Sequence, residues 1–184
     1  MKNRMIAALA AALLAAAPLC GQDLVVSTNV LDYANFATLN VETGLAVARH
    51  WSLSAGAKYN PFTFGKGDGT ILQRQQTYSV GARFWPWYIF SGWWICAKAQ
   101  YQEFCSGGIT SRRTSQGDRY GGSLSAGYTF MLSKHFNLEF GLGAWGGYEV
   151  YTAFNCQHCG QTVDSGSKYF LLPNDVTFAL SYVF

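Results

Sequence analysis

The chain has 184 residues, of which 12% are charged and 16% aromatic, with 20 Gly and a formal net charge of +3 at pH 7. That length suits one domain rather than two. The small, dispersed positive charge, whose longest basic run is Arg112-Arg113, argues against nucleic acid as a partner, and a mean hydropathy near zero argues against a bundle of membrane helices.

Residues 1–21 read as a secretory signal. Lys2 and Arg4 give a positive start, Met5 to Ala17 an apolar core, and Gly21 a small residue ahead of cleavage. Cys20 raises a lipoprotein reading, against which stands Leu19, where a small residue is expected. The mature chain then divides into eight period-two segments at about 24–33, 37–48, 51–62, 75–87, 92–104, 119–131, 136–150 and 173–184. Each is near the ~9–11 residues that a tilted strand needs to cross a bilayer. Connections near 33–37, 48–51, 87–92 and 131–136 are short, whereas 63–74, 105–118 and 151–172 are long and polar. Apart from the first, they follow the short periplasmic turns and longer external loops of outer-membrane barrels. Two short turns repeat a pattern, Arg49-His50-Trp51-x-Leu53 and Lys134-His135-Phe136-x-Leu138.

The expected fold is therefore all-β: a closed, eight-stranded, antiparallel, up-and-down transmembrane barrel. In its last strand, Val176, Phe178, Leu180, Tyr182 and Phe184 share a face that is expected to meet lipid, with Thr177, Ala179 and Ser181 toward the lumen and the first strand as partner. Phe178, Leu180, Tyr182 and the final Phe184 resemble the C-terminal signal read by barrel-insertion machinery. Trp51, Trp85, Trp87, Trp93 and Trp94 collect at the periplasmic end, as an aromatic girdle predicts.

Strand charges share the small-residue face: Glu42, Lys58, Arg83, Lys98, Glu139 and Glu149, with Glu103 as the exception. A narrow lumen has room for side chains only, so these ions are expected to pair, one acid and one base at each level: Arg83 with Glu139, Glu42 with Lys98, Lys58 with Glu149. A proton or ion path is the competing reading of the same residues. A soluble, lipocalin-like ligand-binding barrel would show the reverse polarity, with an apolar interior.

Cys156-Gln157-His158-Cys159-Gly160 lies in the longest loop. In an exported chain a loop disulfide, Cys156–Cys159 first, is the default. Metal is the lesser alternative, because two cysteines supply half of a zinc site and only His158 and Cys105 lie near enough in topology to complete it. Cys96 reads as a small packing residue inside. No nucleotide or phosphate motif occurs, no cofactor is expected, and no spacing joins a serine to His158 as nucleophile and base.

In order along the chain, Asn29-Val30-Leu31-Asp32-Tyr33-Ala34, Asn40-Val41-Glu42-x-Gly44, Trp51-Ser52-Leu53, Tyr59-Asn60-Pro61-Phe62-Thr63-Phe64, Asn137-Leu138-Glu139, Cys156-x-x-Cys159-Gly160 and Tyr182-Val183-Phe184 resemble an uncharacterised Bacteroidota (Bacteroidetes) domain-of-unknown-function family of outer-membrane β-barrels. That family often reads Asn-Leu-Leu-Tyr-Asp-Ala where this chain has residues 29–34. The resemblance implies an integral outer-membrane protein of a Gram-negative bacterium, often encoded near fimbrillin-type surface proteins, and implies no activity. The expected role is structural or interaction-based rather than enzymatic, carried by the external loops with Arg74, Arg112, Arg113, Arg119, Lys168, Tyr151 and Phe154. Lipopolysaccharide and fimbrial or other envelope proteins are the expected partners. An outer-membrane lipid-modifying enzyme or protease is the alternative.

Overall fold

A computed structural model describes residues 24–64, 71–107, 114–155, 162–173 and 175–184. The expected leader at 1–21 and the residues Arg112, Arg113, Cys156, His158 and Cys159 lie outside the described residues. The elements are β1 (Leu24–Asn29), α1 (Val30–Ala34), β2 (Leu39–Ala48), β3 (Trp51–Asn60), β4 (Thr63–Phe64), β5 (Ile71–Phe84), β6 (Gly92–Gly107), β7 (Thr114–Met131), β8 (Phe136–Phe154), β9 (Thr162–Leu172) and β10 (Thr177–Val183).

All the strands join one antiparallel sheet. Eight of them form a ring in the order β1-β2-β3-β5-β6-β7-β8-β10. The ring closes because β10 has two partners. Val25 of β1 lies opposite Val183, and Asn29 opposite Ala179; on the other edge Gly141 of β8 faces Thr177, and Phe136 faces Tyr182. Period-two alternation makes this register compulsory, since a one-residue slip would turn every apolar side chain of β10 inward. β4 sits on β5, and β9 continues the line of β10 upward along β8.

Three expectations need correcting. The first strand does not run to residue 33. One side chain ends it: Asn40 accepts from Asn29 N at 2.6 Å and donates to Asn29 O at 2.9 Å. The Asn29 side chain then accepts from Leu31 N at 3.3 Å and caps α1. Secondly, the segments 63–74, 105–118 and 151–172 are not simply loops. β5 begins at Ile71, β6 runs to Gly107, β7 begins at Thr114, and β8 and β9 form a tall hairpin. These extensions rise above the ring as a one-sided wall. Apart from the buried Thr114, residues on both of their faces are partly or fully exposed, so the apolar alternation that marks a half-buried strand fades there. Thirdly, the strand predicted at 75–87 stops at Phe84, and the last one occupies 177–183 rather than 173–184.

The two faces of the ring differ sharply. Outside stand leucines such as Leu124 and Leu142, 67% and 70% exposed. Inside, Arg83, Glu139, Ser123, Thr129 and Ser181 are buried. The lower end is filled by an apolar cluster of Val25, Trp85, Phe90, Trp94, Cys96 and Val183. Phe90 reaches it from the turn between β5 and β6, where it takes φ 58 ahead of Gly92 at φ 77. Asn137 Nδ2 pins that turn by donating to Phe90 O at 2.8 Å.

Candidate functional site

The ring interior is built in tiers, each set by strand parity. The apolar floor comes first. Trp85 Nε1 donates to Ser52 Oγ at 3.0 Å, and its ring meets Phe90 edge-on at 5.8 Å. The paired turns tie the floor down in matching ways. His50 Nδ1 donates to Trp85 O at 2.8 Å while Trp85 N donates to His50 O at 2.9 Å. His135 does the same with Val183, at 2.9 Å and 2.8 Å. The repeated His of the two short turns is thus a clamp on an inward residue at the neighbouring strand's end, Trp85 just past β5 and Val183 in β10.

Above the floor lies an ion quartet. Arg83 gives Nη1 to Glu139 at 2.8 Å and Nη2 to Glu42 at 2.9 Å; Glu42 also takes Lys98 Nζ at 2.6 Å. The Arg83 guanidinium lies 4.4 Å above the Trp94 ring and 5.5 Å from that of Trp85, so π-electrons support its charge beside the two carboxylates. Trp85 and Trp94, expected in the girdle, are therefore buried inside. They share parity with Arg83 and with Cys96 and Lys98. Trp51, Trp87 and Trp93 are exposed.

The third tier is an amide layer. Gln102 Nε2 donates to Gln75 at 2.9 Å and to Thr77 at 3.1 Å, and Gln100 donates to Ser123 at 2.7 Å. From α1, Asp32 meets Lys58 at 2.8 Å. Asp32 and Asn35 border a polar cavity of about 90 Å³ with Lys58, Gln100, Trp145 and Asp175. Lys58 does not pair with Glu149, as depth alone implied, because α1 folds across the ring and offers a nearer carboxylate. Glu149 is taken instead by Arg119 and, at 3.4 Å, by Lys168. Arg119 also lies 3.9 Å over the Phe104 ring. Arg119 and Lys168, expected among the external-loop cations at the outer surface, are strand residues that pair with Glu149. Arg74 is exposed.

At the mouth a cleft of about 690 Å³ opens, with Asn60, Gln75, Phe104 and Tyr151 among its lining. Tyr151 donates to Asp164 at 3.1 Å, a bond that raises the phenol pKa above its ordinary value. Cys105 is a half-buried free thiol at this level. Burial raises its pKa, and the charge of Arg74 opposes the shift. Among the described residues, no three His, Cys, Asp or Glu side chains are grouped to hold a metal ion.

Outside, sequence reasoning missed a row of tyrosines. Tyr78 lies opposite Tyr101, Tyr101 opposite Tyr120, Tyr120 opposite Tyr148, and Tyr148 opposite Tyr169. Adjacent rings touch at 5.6 Å for Tyr120–Tyr148 and 5.4 Å for Tyr148–Tyr169. Each falls at an outward parity, so the signal was present, but only the strand registers bring all five into one row across the sheet. Directly above the row stand Gln76, Glu103, Asp118 and Ser167, with Val150 of β8 exposed among them. Glu103, the charge off the inner face, sits there and accepts from Tyr101 Oη at 3.2 Å, beside Asp118 at 2.9 Å. At the lower end Phe140 and Phe178 touch at 4.8 Å, Phe136 and Tyr182 at 5.1 Å, and Tyr182 and Phe184 at 4.9 Å. Leu180, in phase with them, is exposed.

The chain belongs to the family described as Protein of unknown function (DUF3575), whose model matches residues 5–184. No curated protein matches it.

Proposed function

We propose that this family member is an integral outer-membrane protein of a Gram-negative bacterium of the Bacteroidota type. In this reading residues 1–21 are its export signal, and the ring is a closed, up-and-down transmembrane barrel. Its role is structural or interaction-based, carried by the wall and loops that rise above the ring. The observation that carries the reading is the inverted polarity: an ion quartet inside and exposed leucines, valines and aromatics outside. A soluble barrel that kept charges in its interior and apolar groups in water would oppose the hydrophobic effect on both faces.

The tyrosine row supports the same placement. From Tyr120 to Phe130 is about 33 Å of strand. At the ~40° tilt of outer-membrane barrels that is a height of about 25 Å, the depth of their apolar band. The tyrosines then form the upper belt, with Trp51, Trp93, Phe136 and Phe184 in the lower one. Arg74, exposed on β5 beyond Tyr78, is the cation proposed to meet anionic lipopolysaccharide. Fimbrial or other envelope proteins are the partners proposed for the wall, and the barrel-insertion machinery is the proposed reader of Phe178, Leu180, Tyr182 and Phe184.

Fractionation tests this. Membranes from cells producing the chain are washed with carbonate and with high salt, then extracted with detergent. Retention until detergent is added, with different gel migration before and after boiling, is the expected result. Release by carbonate alone ends the reading.

A further inference from the structure

The sheet has one long free edge. β9 is hydrogen-bonded to β8 and, among the described strands, to no other. Below it β10 closes the ring against β1, but β1 stops at Asn29, so no strand covers β9 from that side. Thr162 to Tyr169 are exposed without interruption. A bare edge of this kind is a template for another strand unless something blunts it. β9 contains no proline, and from Asp164 to Leu172 its register with β8 is regular.

We infer that this edge binds a second copy of the chain, the two β9 strands pairing antiparallel about a two-fold axis at Gly166. The charge pattern carries the choice of partner and of register. Asp164 and Lys168 lie two residues either side of Gly166. A two-fold centred there sets Asp164 against Lys168 of the other copy, twice, with Ser165 against Ser167. Centring on Asp164 or on Lys168 would set like charges together, and other centres leave the charges without opposite partners. Opposite charges across a strand pair favour a register and like charges oppose it, and self-complementarity is what a two-fold interface requires.

In the single chain both side chains lean toward β8, where Lys168 also reaches Glu149 at 3.4 Å, and they swing across the edge to meet the second copy. Asp164 accepts from Tyr151 Oη at 3.1 Å, and Lys168 Nζ lies 4.9 Å over the same ring. Both therefore project from the inner face of β9, where a cross-strand pair has to form. Gly166 between them has no side chain to obstruct the approach of a second backbone. The inference does not depend on the membrane reading, because it concerns only the wall above the tyrosine row.

The test uses full-length protein, in detergent if detergent is needed to extract it. Native mass should show a dimer for the wild type. Asp164→Lys and Lys168→Asp should each weaken self-association about tenfold or more. Mixing the two variants should restore a mixed dimer, since each then supplies what the other lacks. Unchanged gel migration before boiling checks that both variants fold. As an independent measurement, carbodiimide treatment of a mixture of ¹⁴N- and ¹⁵N-labelled wild type should yield an Asp164–Lys168 amide between light and heavy copies. A wild-type monomer, a mixture of folded variants that stays apart, or a dimer without the light–heavy amide would each overturn the inference.

Discussion

Arg83 and Glu139 meet at 2.8 Å although their strands, β5 and β8, are not neighbours in the sheet. The bond crosses the ring interior. Because Arg83 also holds Glu42, and Glu42 holds Lys98, four strands are tied through the middle rather than along their edges.

Removing Arg83 leaves Glu139 buried without that cation and deprives Glu42 of one of two. Breaking a buried pair from one side costs about 3–5 kcal/mol, and Arg83→Ala should be destabilised by about that much in urea unfolding followed by gel migration. Replacing Arg83 and Glu139 together, by Met and Leu, should recover most of the loss, because no unpaired charge remains at that pair. A single variant within about 0.5 kcal/mol of wild type would deny the quartet a structural role.

Leu124 lies near mid-height on the outer face of β7. If lipid surrounds it, Leu124→Arg should destabilise the inserted protein by about 2–4 kcal/mol. On a water-exposed surface the same change stays within about 0.5 kcal/mol. Unfolding from lipid vesicles or detergent micelles separates the two outcomes.

A Cβ at Gly141 would lie 2.6 Å from Trp94 Cη2 and 2.7 Å from Cζ2, and Trp94 is pinned between this site and the Arg83 guanidinium. Gly141→Ala should therefore cost about 1–3 kcal/mol through overpacking and shift the tryptophan emission. Trp94→Phe in the same chain should relieve part of that cost by shortening the ring.

At Cys105 the sign is set by burial, which raises the thiol pKa, and by Arg74, which lowers it. Arg74→Ala removes the lowering influence. Below the titration midpoint, alkylation of Cys105 should then slow, roughly two- to fivefold, with the rate profile displaced to higher pH. Peptide mass spectrometry resolves Cys105 from the other thiols. A profile displaced to lower pH would reverse the assignment.

Much of the ring was legible because a sheet with one apolar and one polar face writes its register into the residues. Leu180, Tyr182 and Ser181 announce which way β10 faces, and Glu42, Arg83, Lys98 and Glu139 share a parity that only an interior accounts for. Ring placement was not equally legible. Trp85 and Trp94 were grouped with Trp51, Trp87 and Trp93 by height, although their parity with Arg83 and Cys96 sets them inside. Pairing by depth failed for Lys58 because it ignored Asp32, which reads as a strand residue until Asn40 ends β1. The wall from β5 to β9 was hidden for a different reason: two solvated faces leave no contrast between alternate residues. The tyrosine row is invisible along any one strand and exists only across five.

The floor has a consequence for traffic. Phe90, Trp85 and Trp94 stopper one end, while the cleft near Tyr151 stays open at the other. A solute arriving at the mouth meets a blind alley, and its exit retraces its entry. Passage through the ring would require Trp85, Phe90 and Trp94 to part.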